Sequence, residues 1–154
     1  MLLITFLLTL PLNIFLKRLF RKERPRSYYS HYRGGSIYEG SFPSFHAQFA
    51  FCEALTHITV VYLVCPEGIK FLATSLAIAI LIPIASLVAW SRVCINVHYL
   101  IDIIGGGVIG GLTGILFTYL LIPYFIKTST TVRLVGTALF FVLLYVMSEK
   151  ERRG

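Results

Sequence analysis

Residues 69–90 read IKFLATSLAIAILIPIASLVAW, and they decide the class of fold. Lys70 is the one charged side chain in this run. An α-helix needs about 20 mostly apolar residues to cross the hydrocarbon of a bilayer. The run therefore predicts a transmembrane helix.

Apolar runs of similar length lie on both sides of it. The predicted spans are about 2–20, 42–64, 69–90, 98–122 and 131–147. Pro11 interrupts the first span, Pro123 is expected to end the fourth, and a charged tail follows the fifth. We predict an all-α integral membrane bundle of about five transmembrane helices, forming a single domain over residues 1–154. A multi-pass protein of the cell membrane is the expected localisation.

Composition supports the membrane and narrows the partners. Of the 154 residues, 56% are hydrophobic and 14% charged, whereas about a quarter are charged in soluble domains. The net charge of +7 suits anionic headgroups or phosphate ligands. The basic residues do not lie on one face of a soluble helix, so no nucleic-acid partner is expected. Three cysteines without CxxC spacing predict neither a disulfide framework nor a zinc site.

Polar residues gather at three places that share one membrane face if the spans alternate. The first is the basic run KRLFRKERP, from Lys17 to Pro25. Lys17 and Arg24 are seven residues apart, which on a helix is about 20° short of two turns. Two cations on one face can hold a phosphate. A basic cluster that reaches toward lipid headgroups is the alternative.

The second polar cluster is Pro43-Ser44-Phe45-His46, at the start of the second span. Proline and serine suit a helix start, and the free N–H groups of a helix start bind phosphate. His46 can exchange protons near neutral pH. A capped helix with an interfacial histidine is an equally good interpretation of this cluster alone.

The third polar cluster holds Ser91, Arg92, His98 and Asp102. His98 and Asp102 are four residues apart, so they are neighbours on one helical face. A carboxylate beside an imidazole fixes its tautomer and makes the other nitrogen a better nucleophile. A structural ion pair is the alternative, and it leaves Arg92 unexplained.

Together the three clusters resemble the signature of the type-2 phosphatidic acid phosphatase family, which the vanadium haloperoxidases share. The K-x6-R-P motif is matched by Lys17, Arg24 and Pro25, and the S-R-x5-H-x3-D motif by Ser91, Arg92, His98 and Asp102. The P-S-G-H motif is matched by Pro43, Ser44 and His46, with Phe45 in place of glycine.

The resemblance implies a phosphatase that acts on a lipid phosphate or diphosphate through a phosphohistidine. His98 would be the nucleophile, Asp102 its orienting group, and His46 the acid and base. The phosphoryl oxygens would be held by Lys17, Arg24, Ser44, Phe45 and Arg92. No metal and no other cofactor is expected, since basic side chains would neutralise the phosphate charge. The expected partners are the substrate and membrane lipids.

Three features depart from the family pattern. Phe45 can offer its backbone N–H to phosphate only if φ stays negative and the ring points away. Asn96 stands where many relatives have glycine, and asparagine tolerates left-handed backbone. Two helices that usually precede the first motif are missing, and one helix follows the motif region instead.

Two further patterns leave alternatives open. Gly106, Gly110 and Gly114 form a small-residue ridge that suits either tight packing inside the bundle or a homo-oligomer. Glu53 and His57 are expected to satisfy each other in the bundle interior, with a contact beneath the site as the alternative.

Other functions and the orientation of the site are weighed from the same residues. A catalytically impaired lipid-phosphate-binding relative is the main alternative, supported by Phe45. The spans argue against a soluble haloperoxidase, and the absence of repeats against a transporter. Basic residues concentrate on the motif face, which favours a cytoplasmic site, whereas relatives often carry it on the outer face. The side stays open.

Overall fold

The computed structural model describes residues 2–25, 40–127 and 130–153. Most of the predicted loop between the first two spans lies outside the described residues. The described part is helical and contains no strand. Its five helices are α1 (Leu2–Phe20), α2 (Phe45–Val64), α3 (Glu67–Cys94), α4 (Leu100–Lys127) and α5 (Thr130–Arg153). The predicted all-α bundle is therefore confirmed.

Four of these helices, α1 to α4, are long and apolar enough to cross a membrane, whereas α5 does not meet that criterion on its described residues. Their outer surface is strongly apolar. Phe71 on α3, for example, is 87% exposed, and most of α3 presents large aliphatic side chains outward. Such a surface is stable against lipid and unfavourable in water.

Several helix ends differ from the predicted spans. The third helix continues to Cys94, so the polar connection predicted to begin at residue 91 is shorter. Ser91 lies inside this helix, where its hydroxyl donates to Val88 O at 2.8 Å. The prediction that Pro123 ends the fourth helix is wrong, because α4 continues to Lys127. Proline is tolerated inside membrane helices where neighbouring groups satisfy the freed carbonyl.

The closest packing in the bundle is between α2 and α4. A Cβ added at Gly106, Gly110 or Gly114 would come within 2.0 to 2.6 Å of a backbone oxygen of α2 or its cap. The glycine ridge therefore lets two helix backbones touch inside one chain. The packing interpretation of the ridge is confirmed, and the ridge is not a free surface for a second copy.

α1 is joined to α2 by a polar seam, which we define as Thr5, Thr9, Asn13 and Lys17 on α1. All four are buried, with at most 6% exposure, and they recur every fourth residue, so they share one face. Asn13 Nδ2 donates to Gln48 Oε1 at 2.7 Å and to Pro43 O at 3.1 Å, and Thr9 donates to Cys52 Sγ at 3.5 Å. The seam leads directly to Lys17, at the end of α1.

α1 also meets α5 through aromatic rings. Phe6 packs edge-on against Phe140 of α5 at 5.8 Å and against Phe49 of α2 at 5.6 Å. Phe140 is 4% exposed. Phe140 also meets Phe49 at 6.0 Å, so the last helix packs against aromatic rings of both α1 and α2.

Candidate active site

The end of α1, the start of α2 and the α3–α4 connection lie together at one end of the bundle. Ser44, the cap of α2, donates its N–H to Asp102 O of α4 at 3.0 Å. The Lys22 ammonium, just after α1, lies 2.6 Å from Asp102 Oδ1. Chain segments 80 residues apart in sequence therefore meet around Asp102.

Asp102 is fully buried in the first turn of α4. Its Oδ2 accepts the Tyr99 N–H at 2.9 Å, which is the reciprocal bond of a capping box, and also accepts a hydrogen bond from the Ser41 hydroxyl. A carboxylate at a helix N-terminus is further stabilised by the helix dipole. Every carboxylate oxygen thus has a donor.

His98 lies just before α4, four residues from Asp102, and is 4% exposed. Its Nδ1 is 3.7 Å from Asp102 Oδ2 and 3.4 Å from the Ser41 hydroxyl. Burial, together with the positive charges of Arg24 and Lys17, lowers the pKa of His98 to about 3, although the Asp102 carboxylate acts in the opposite direction. The imidazole is therefore neutral at physiological pH, with Nε2 on the ring edge opposite these partners.

A short turn brings His98 to this position. The N–H groups of Val97 and His98 both donate to Arg92 O, at 3.1 and 3.3 Å. Asn96 has φ 60°, a left-handed conformation that asparagine adopts at low cost. Asn96 therefore adopts the left-handed backbone that the sequence analysis predicts asparagine to tolerate here.

His46 is exposed in the first turn of α2. The positive charges of Arg92, Lys17 and Arg24 all act on its ring, and His46 itself acts on His98. The charges of Lys17 and Arg24 thus act on both histidines, and that of Arg92 acts on His46. Arg92 Nε also donates to the Ser91 hydroxyl at 3.2 Å.

The predicted common helical face of Lys17 and Arg24 is wrong. Lys17 and Arg24 do not lie on one continuous helical face, because α1 ends at Phe20 and Arg21 has φ 45°. The chain turns away from the helix axis after Phe20. Arg24 nevertheless reaches the site, where its charge acts on Lys17.

Ser44 and Phe45 lie at the start of α2. Ser44 is the N-cap, but its side chain makes no capping bond, and its fully buried Oγ has no partner among the described residues. Phe45 is helical, and the described residues with positive φ are Arg21 and Asn96. Its ring stacks on Phe49 at 6.0 Å and meets Phe6 edge-on at 6.1 Å. Phe45 thus keeps negative φ and its ring packs on other aromatic rings, which are the two conditions under which its N–H can be offered to phosphate.

Two residues at the site were missed by the sequence analysis, Lys22 and Ser41. Both contact Asp102 directly. Lys22 stands inside the basic run but off the motif spacing, and Ser41 lies three residues before Ser44. Nothing in helical periodicity marks either one, since both belong to irregular backbone.

Glu53 and His57 lie further along α2, away from the site. Glu53 accepts a hydrogen bond from the Thr5 hydroxyl, and His57 Nδ1 is 3.6 Å from Glu53 Oε2. The predicted mutually satisfied interior pair is therefore wrong: His57 is exposed and its Nδ1 lies 2.7 Å from the backbone oxygen of Glu53, while the buried Glu53 Oε2 has no hydrogen-bond partner among the described residues. No group of three or more potential His, Cys, Asp or Glu metal ligands occurs in the described part of the chain.

The fold and site define a helical membrane protein with a cationic, histidine-containing centre at the helix ends. The family model of the PAP2 superfamily matches residues 1–126, which covers α1 to α3, all of α4 but its last residue, and all three motifs. The chain belongs to the PAP2 superfamily, whose members are phosphatases. Neither the curated proteins nor the solved structures yield a match.

Proposed function

We propose that the protein is a multi-pass lipid phosphatase of the cell membrane that works through a phosphohistidine on His98. The observation that carries the proposal is a buried, neutral imidazole beside Asp102 and among cations from separate helix ends. Neutral imidazole is the nucleophilic form. Cations placed around a transferring phosphoryl group stabilise its charge in the transition state.

The reaction is a double displacement. His98 Nε2 attacks phosphorus and the bond to the lipid oxygen breaks, while His46 gives a proton to that leaving oxygen. His46 then takes a proton from water, whose oxygen attacks the phosphohistidine, releasing phosphate and restoring His98. The exposure of His46 suits both its contact with a leaving lipid and the entry of water.

Phosphate binding is assigned to Lys17, Arg24, Arg92, Ser44 and the Phe45 N–H. The buried Ser44 hydroxyl without a partner supports this assignment, because a buried polar group is costly unless a ligand or water satisfies it. The first N–H groups of α2 have no partner within their own helix. Together they offer donors to a tetrahedral anion.

A lipid is the proposed substrate because the site lies at the ends of membrane-length helices. Trp90 and Tyr99 flank it, 53% and 44% exposed, and such aromatic side chains favour the membrane–water boundary. A headgroup phosphate would reach the cations there while the acyl or isoprenoid tail lies against the apolar helix surface. Phosphatidate, phosphatidylglycerophosphate and polyprenyl diphosphate all fit this description.

The test is phosphate release by the purified protein in detergent with EDTA. We expect release from at least one of these three lipids, much faster than from a water-soluble phosphate ester, and none from His98→Ala. Equal background from wild type and His98→Ala would remove the hydrolase. Faster release from the soluble ester than from every lipid would remove the lipid specificity.

A catalytically impaired lipid-phosphate-binding protein is the second candidate, favoured by Phe45 in the glycine position. It predicts that wild type and His98→Ala show the same background, while Phe45→Gly gains turnover. The helical backbone and outward ring of Phe45 support the active enzyme instead.

A further inference from the structure

We propose that Lys22 and Ser41, which lie outside the three motifs, are positioning residues that set the tautomer of His98 and keep Asp102 ionised. The inference rests on the proposed function, since it concerns how the nucleophile is prepared. Both residues are placed by irregular backbone, and each contacts the fully buried Asp102 directly.

The Ser41 hydroxyl bridges His98 and Asp102. The direct separation between His98 Nδ1 and Asp102 Oδ2, 3.7 Å, is too long for a hydrogen bond, whereas Ser41 Oγ is 3.4 Å from Nδ1 and bonded to Oδ2. A hydroxyl has one proton to donate, and Ser41 gives it to the acceptor-only carboxylate. The bond with His98 must then run from Nδ1–H to Ser41 Oγ.

That direction of hydrogen bonds fixes the chemistry of the ring. A neutral imidazole has one N–H, and Ser41 holds it on Nδ1. Nε2 is left with its lone pair free for attack on phosphorus. The sequence predicts that Asp102 alone orients the His98 ring. In the structure Ser41 contacts the ring directly, and Asp102 accepts the hydrogen bond from Ser41.

Lys22 supplies the charge that Asp102 needs. Its ammonium is 2.6 Å from Oδ1 and 4.7 Å from the centre of the Tyr99 ring, so two groups near the start of α4 fix its position. If Asp102 were protonated on Oδ2, that oxygen would become a hydrogen-bond donor. It would then no longer accept the proton of the Ser41 hydroxyl. The ammonium opposes that protonation.

Lys22 and Ser41 also hold each other. The Ser41 N–H donates to Lys22 O at 2.7 Å, which joins the chain just after α1 to the chain just before α2. The two side chains therefore approach Asp102 from one backbone unit. Among described residues, Lys22, Lys17 and His98 are charged or titratable groups that interact with Asp102, and the charge of Arg24 acts on both Lys17 and His98.

The experiment compares wild type, Lys22→Met, Lys22→Arg and Ser41→Ala on the lipid that wild type hydrolyses. We expect Lys22→Met and Ser41→Ala to lower kcat roughly 10- to 100-fold, as for partners that orient a reacting group, with KM and the inhibition constant for vanadate changed less than threefold. Lys22→Met should move the acid limb of the kcat profile to higher pH, and Lys22→Arg should restore it. Thermal melting in detergent checks that each variant is folded.

Lys70→Met is the matched control, because Lys70 also pairs with a carboxylate, Glu67, at the opposite end of the bundle. It should leave kcat and the pH profile unchanged. Raised KM and weaker vanadate inhibition with unchanged kcat would make Lys22 a phosphate ligand and overturn the inference. So would a pH profile that Lys22→Met leaves in place.

Two further outcomes separate the inference from the proposed function. If Lys22→Met does not fold, Ser41→Ala decides alone, and wild-type kcat in that variant overturns the inference. In another outcome, wild type turns over and His98→Ala does not, while Lys22→Met and Ser41→Ala both keep the wild-type kcat. That result overturns the inference and leaves the proposed phosphatase activity standing. Equal background from wild type and His98→Ala overturns both.

Discussion

The protonation state of His98 decides whether the centre can act at neutral pH. Its pKa is lowered to about 3, first by burial and then by Arg24 and Lys17. The ring therefore stays neutral through the range in which an ordinary histidine, with a pKa of 6.5, gains its proton. The cations that would hold phosphate also keep the nucleophile unprotonated.

The same shift predicts a pH dependence of stability. Between pH 6.5 and about 3 the unfolded chain binds a proton at residue 98 that the folded chain does not. The free energy of unfolding should therefore fall as pH falls, by at most about 1.4 kcal/mol per pH unit from this group. Thermal melting of wild type and His98→Gln in detergent, from pH 7 to pH 4, measures it.

The difference between the two proteins isolates His98 from other groups that titrate in acid. We expect wild type to lose its stability relative to His98→Gln as pH falls. A difference that is constant with pH would contradict the lowered pKa.

Among the helices, the contact between α2 and α4 fixes the geometry of the site. It holds the cap of α2, with Ser44, against Asp102 in the first turn of α4. The backbones approach so closely only because Gly106, Gly110 and Gly114 have no side chain. Packing of small residues replaces the hydrophobic driving force, which is weak between helices in lipid.

A pair of neighbouring substitutions tests this contact. The Cβ of Gly110→Ala would lie 2.0 Å from Gln48 O, so the helices must separate, at a cost of about 1–3 kcal/mol or more. The Cβ of Gly111→Ala meets Leu55 Cγ at an ordinary 3.7 Å. We expect a lower melting temperature and lost turnover in Gly110→Ala alone, and equal behaviour of the two would refute the contact.

The sequence predicted some elements well and others poorly, for physical reasons. Apolar run length predicts helices because the bilayer fixes their length, and the meeting of Ser44 with Asp102 follows from alternating spans. The polar seam from Thr5 to Lys17 has a spacing of four, a signal in the sequence from which a buried polar face of α1 is predictable. Lys22 and Ser41 were not predictable, because their positions depend on the turn at Arg21, φ 45°, and not on a helical period.

At the scale of the whole molecule, the family match ends at residue 126, and α5 lies beyond it. α5 packs on α1 and α2, where Phe140 meets Phe6 and Phe49. The helices that bear the motifs therefore form one unit, and the last helix covers its apolar flank.

The central claim is that helix ends from across the chain meet around one phosphoryl group held on His98. Rapid quenching with a ³²P-labelled lipid phosphate, followed by peptide mapping, tests it most directly. We predict an acid-labile, alkali-stable label on the peptide containing His98, absent from His98→Ala. Turnover without any such label, or a label that remains in His98→Ala, would contradict the account.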